Sequence, residues 1–62
     1  MNKLDQYIDG IATAIDKGDR QTIHAIMDVL RHHRLTYAEI YYMVKHKRPS
    51  LDLATWDALL DD

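Results

Sequence analysis

Apolar residues recur along this chain at helical rather than strand spacing. Leu4, Ile8, Ile11 and Ile15 stand at i, i+4, i+7 and i+11, with Tyr7, Ala12 and Ala14 beside them. That period predicts an amphipathic helix over roughly residues 3–17. Gly10 weakens its middle by about 1 kcal/mol relative to alanine. Gly18 suits a left-handed position after the last turn, and Asp19 then caps the next helix. That helix carries Ile23, Ile26, Met27 and Leu30 at i, i+3, i+4 and i+7, flanked by Ala25 and Val29. So short a joint predicts an antiparallel hairpin.

The third start signal is the strongest. Thr36-Tyr37-Ala38-Glu39 has the form of a capping box, with Leu35 and Ile40 placed as a hydrophobic staple. Ile40, Met43 and Val44 supply the inward stripe, with Tyr37 and Tyr41 alongside. This helix is expected to end near Lys47, because Pro49 disfavours helical geometry at Arg48. Lys45, His46 and Lys47 fall in its last turn, where cations suit the helix dipole. Ser50 or Asp52 then caps a short fourth helix ending near Leu60, with Leu53, Trp56 and Leu60 on one side. The expected fold class is all-α: a compact bundle of three to four short helices with a helix-turn-helix-like C-terminal half. Residues 1–62 form a single helical domain, since no linker divides them.

Composition adds limits. The chain has 62 residues, 47% of them hydrophobic and 29% charged, a globular balance. Without cysteine, no disulfide or thiolate–zinc site supports the core. A domain this small buries only about 60% of the surface its unfolded chain exposes, so burial shared with a second copy or a partner is expected. No apolar run approaches the ~18 residues of a membrane span, and MNKLDQYIDG lacks the apolar core of a signal peptide. The expected location is cytoplasmic, with no membrane contact.

The formal net charge of −2 conceals an uneven distribution. Residues 1–30 carry three bases and five acids. Residues 31–48 carry Arg31, Arg34, Lys45, Lys47 and Arg48 against Glu39, and residues 49–62 carry four aspartates and no base. Solvated faces that partly neutralise each other account for this, as does a basic face beside an acidic one, each suited to a partner of opposite sign.

Residues 35–60 resemble the helix-turn-helix of the winged-helix domain of the ferric uptake regulator family. The likeness lies in Leu35-Thr36-Tyr37-Ala38-Glu39-Ile40-Tyr41, followed by Leu53-Ala54-Thr55-Trp56-Asp57-Ala58. The resemblance implies a positioning helix and a recognition helix. In that family a Tyr-Arg pair on the recognition helix faces DNA. Asp57 and Ala58 take those places here. A carboxylate is repelled by phosphate, and alanine gives a base edge no donor. The family's wing and its metal-binding and dimerisation domain have no counterpart in these residues.

Signals for catalysis or metal binding are sparse. Adjacent His32 and His33 point about 100° apart on a helix. Asp28 and His32 suit an exposed hydrogen bond better than a metal. Ser50 has no nearby histidine in sequence, and Asp5, Asp9 and Asp16 read as a solvated stripe. Only Gly10 and Gly18 are present, so there is no phosphate-binding glycine loop. No enzyme activity, cofactor or metal is expected.

Tyr37, Tyr41 and Trp56 are expected to pack between the third and fourth helices, leaving Tyr42 exposed. The candidate partner-binding residues are Tyr42, Arg34, Lys45, Trp56 and Asp57, since tyrosine, tryptophan and arginine favour interface hot spots. The stripe of Leu4, Tyr7, Ile8, Ile11 and Ile15 either covers the core or forms a homodimer seam. The first functional expectation is a small non-enzymatic regulator, likened in size to phage or mobile-element inhibitors of host factors, which binds a protein partner as a dimer. The second is a small helix-turn-helix regulator of transcription, touching nucleic-acid phosphates through Arg34, Lys45, Lys47 and Arg48.

Overall fold

The structure, a computed structural model, describes residues 2–61. Four helices follow one another: α1 (Lys3–Lys17), α2 (Arg20–His32), α3 (Tyr37–Lys47) and α4 (Leu53–Leu60). Among the described residues there is no strand, and no helix is long and apolar enough to cross a membrane.

Local chemistry sets each boundary. Asn2, Asp19, Thr36 and Asp52 cap the four N-termini with side-chain oxygens. The capping box is complete: Thr36 Oγ1 accepts from the Glu39 amide at 3.1 Å, and Glu39 Oε1 accepts from the Thr36 amide at 3.0 Å. Gly18 adopts φ 67° after α1. Its amide donates to the Ile15 carbonyl and that of Asp19 to Ala14, the bond pair of a Schellman motif. The end of α2 repeats these bonds without a glycine. There Arg34 takes φ 67°, its amide reaching the Arg31 carbonyl and that of Leu35 reaching Leu30.

α1 packs on α2 and α3, and α2 also receives α4. The core draws on every helix: Ile8, Ile11, Ala12 and Ala14 from α1, Ile23, Met27 and Leu30 from α2, Ile40, Tyr41 and Val44 from α3, and Trp56 from α4. Leu51, in the loop before α4, is also buried. Gly10 has a packing role beyond its cost to the helix. A Cβ there would stand 3.0 Å from Ile26 Cδ1, so a side chain at this position requires the tip of Ile26 to give way by a few tenths of an ångström.

Two expectations about faces are corrected. Leu53 does not join the inward side of α4 but is 52% exposed; Leu59 and Leu60 pack against the core with Trp56 instead. Asp5, Asp9 and Asp16 are not simply a solvated stripe, because they face the end of α3. Lys47 Nζ lies 3.0 Å from Asp5 and 2.8 Å from Asp9. Arg48 grips Asp16 with two nitrogens, the shorter contact being 2.6 Å.

These contacts set the response to pH. The Arg48 hydrogen bond holds the Asp16 carboxyl below its ordinary range. The Thr22, Thr36 and Thr55 hydrogen bonds do the same for Asp19, Glu39 and Asp52. Their stabilising effect is present above the ordinary carboxylate range and is lost as pH falls through the depressed values. Tyr37 acts at the other end. Desolvation, then its hydrogen bond to Asp57, pushes its phenol from 10.0 to about 12. That contribution is intact below the ordinary tyrosine value and is lost as pH climbs toward 12. A melting-temperature series is expected to be flat through neutrality and to fall at both the acid and the alkaline limb.

Candidate protein-binding surface

The aromatic residues form a continuous path from the core to solvent. Trp56 is fully buried, its ring 6.0 Å from that of Tyr41 and 6.1 Å from that of Tyr37. Tyr41 is buried, and its ring in turn lies 5.5 Å from that of Tyr42, tilted by 55°. Tyr42 is 68% exposed, the most exposed of the large apolar side chains. It therefore combines a large accessible face with support from a fixed neighbour. Such support lowers the ordering cost that an exposed aromatic meets on binding.

The loop between α3 and α4 is tied down beside it. Lys45 lies one turn after Tyr42 and is only half-buried, but its ammonium is engaged: Nζ donates to the Leu51 carbonyl at 2.5 Å and to that of Pro49 at 3.4 Å. The bond fixes the segment that leads into Leu53 against the turn that carries Tyr42. On the opposite margin, Tyr37 Oη donates to Asp57 Oδ1 at 2.6 Å, joining the start of α3 to α4. Asp57 is exposed, as are Asp52 and Asp61, and α4 carries no base. Three large apolar side chains are exposed on these two helices, Tyr37 and Tyr42 on α3 and Leu53 on α4, and the second helix is acidic.

The candidate residues separate on this geometry. Tyr42 is exposed on α3 and Asp57 on α4; Leu53, whose spacing from Trp56 and Leu60 predicts an inward place, is exposed as well. Trp56 is not a surface anchor: with no exposure, it supports Tyr41 and Tyr37 from behind. Lys45 holds the loop rather than standing free next to Tyr42. Arg34 is exposed in the turn between α2 and α3, away from the hairpin's own loop.

The dimer-seam reading of α1 also changes. Ile8 and Ile11 are buried within the single chain, where α2 and α3 cover them, so they offer nothing to a second copy. Leu4, Tyr7 and Ile15 pack against the core cluster and remain only partly exposed. Of the two alternatives for this stripe, the core accounts for its centre.

Several cations expected to meet phosphate have partners inside the chain. Lys47 and Arg48 pair with the α1 aspartates, and these hydrogen bonds hold both bases more firmly protonated. No group of three His, Asp or Glu side chains among the described residues is placed to share a metal ion. His32 Nδ1 lies 2.8 Å from the Asp28 backbone carbonyl, a hydrogen bond that closes a helical turn. No protein-family model, curated protein or solved structure matches the chain.

Proposed function

We propose that this domain is a small regulator that acts by binding another protein through the α3–α4 hairpin. The observation that carries the reading is Tyr42: a tyrosine 68% exposed yet packed in a tilted ring contact against the buried Tyr41. Leu53 and the carboxylates of α4 are exposed as well and add apolar and acidic groups on the second helix. The fitting partner is a protein with an apolar pocket beside a basic patch. A basic groove that ordinarily takes nucleic acid has that character, and its occupation would make the domain an inhibitor.

Charge placement weighs against direct binding to nucleic acid. The helix that would read a groove carries Asp57 and is followed by Asp61, both repelled by phosphate. Lys47 and Arg48 already neutralise α1.

The test is affinity capture with the whole chain and with two variants. Tyr42→Ala is expected to fold normally and to reduce capture of a specific protein by about thirtyfold or more, equivalent to about 2 kcal/mol for a hot-spot aromatic. Gln21→Ala, at an exposed position on α2, is expected to retain that protein fully. Equal capture by Tyr42→Ala would remove the hairpin from the interface.

A further inference from the structure

We infer that the cleft between the start of α1 and the end of α2 is a second docking site, which takes an acidic, leucine-bearing segment of a partner protein. It goes beyond the Tyr42 surface, and no residue of α4 lines it. The cleft has a volume of about 340 Å³ and is walled by Leu4, Tyr7, Leu30 and Leu35, with Lys3 and His33 as its polar residues. This is the low end of the size range for ligand sites, and the cleft is half open to solvent. An apolar side chain presented by a protein segment fits better than a small molecule that needs enclosure.

The Schellman turn builds one wall. The Leu35 amide donates to the Leu30 carbonyl, bringing together the two leucines that line the cleft. Between His33 and Leu35 stands Arg34, at a left-handed φ of 67° that favours glycine. An arginine there forgoes about 1 kcal/mol of backbone ease. What it offers is a cation in the turn that forms the cleft.

Charge selects the occupant. Among the described residues no carboxylate lines the cleft. The nearest α1 acids in sequence, Asp5 and Asp9, are directed to Lys47. Arg31 and His32 have an ordinary explanation, since cations in the last turn of α2 suit its dipole. Lys3 does not: it opens α1, where the dipole already presents positive charge. Lys3, Arg31 and Arg34 form no ion pair with any described residue. An apolar floor beside Lys3 and His33, with no lining carboxylate among the described residues, favours a leucine flanked by carboxylates over an uncharged or basic segment.

The experiment is an amide NMR titration of the full chain with a synthetic amphipathic peptide having leucines at helical spacing and glutamates between them. The Tyr7, His33 and Leu35 signals are expected to shift, and replacing the glutamates by lysine is expected to abolish the shifts. Lys3→Glu is expected to weaken binding by about tenfold or more without lowering the melting temperature, because an acid suits the first turn of α1. Lys3→Arg is expected to retain binding. The inference is overturned by equal binding of the lysine peptide, by unaltered affinity in Lys3→Glu, or by the absence of shifts. It is also overturned by shifts confined to Tyr42 and Leu53, a result that would leave the hairpin reading standing. Shifts of the cleft signals on raising protein concentration alone would assign the cleft to a second copy and overturn it as well.

Discussion

Trp56→Ala is expected to abolish the cooperative melt of this domain. Truncating a buried tryptophan typically costs about 3–5 kcal/mol. A 62-residue chain has a total stability on the order of 3–9 kcal/mol, so one substitution removes much or all of it. The physical reason is position. Trp56 is the fully buried residue of α4, and its ring meets Tyr37 and Tyr41 of α3. Loss of the indole leaves α4 with only Leu59 and Leu60 packed on the core. Trp56→Phe is expected to be much milder. The indole Nε1 is buried with no hydrogen-bond partner among the described residues, and phenylalanine dispenses with that donor while retaining a ring. Helical circular dichroism during heating checks both: a sigmoidal melt in Trp56→Ala close to that of the parent would contradict the assigned role.

Ile11→Ala is expected to have the second largest effect, about 2–5 kcal/mol. In so small a domain, that lowers the melting temperature by roughly 10 °C or more. Ile11 has no exposure, in a helix covered by α2 and α3, so the cavity opens inside one chain. The loss is therefore expected to be the same at every protein concentration. Dependence of the Ile11→Ala loss on concentration, measured by melts over a wide dilution range, would restore the α1 stripe as a seam between copies.

Much of the fold was legible because it is local. Gly18, Asp19 and the Thr36–Glu39 box announce their turns within four residues, and the observed helix limits follow them. The periods of the first two helices are long enough to fix one inward face. α4 is not: eight residues with leucines at 53, 59 and 60 admit more than one stripe around Trp56, and Leu53 was placed on the wrong side. The turn at Arg34 was illegible because its usual signal is glycine.

The candidate surface was legible only in part, because it depends on contacts across the chain. Tyr42 was readable as exposed from its offset to Ile40 and Val44. The Arg48–Asp16 pair spans 32 positions, and no period reveals it. The bond from Lys45 to the Leu51 carbonyl likewise depends on how the loop folds back over α3. Both remove bases from the basic stretch that composition alone had left free. Sequence reports where charges lie along the chain; only packing reports which are already answered.

The central claim is that the α3–α4 hairpin is the contact face of a domain whose core is complete within one chain. Hydrogen exchange of the captured complex, compared with the free domain, tests it most directly. Slowed exchange is expected around Tyr42 and from Asp52 through Asp57, with Tyr42→Ala abolishing it. Exchange unchanged across α3 and α4 in a complex that still forms would contradict the account.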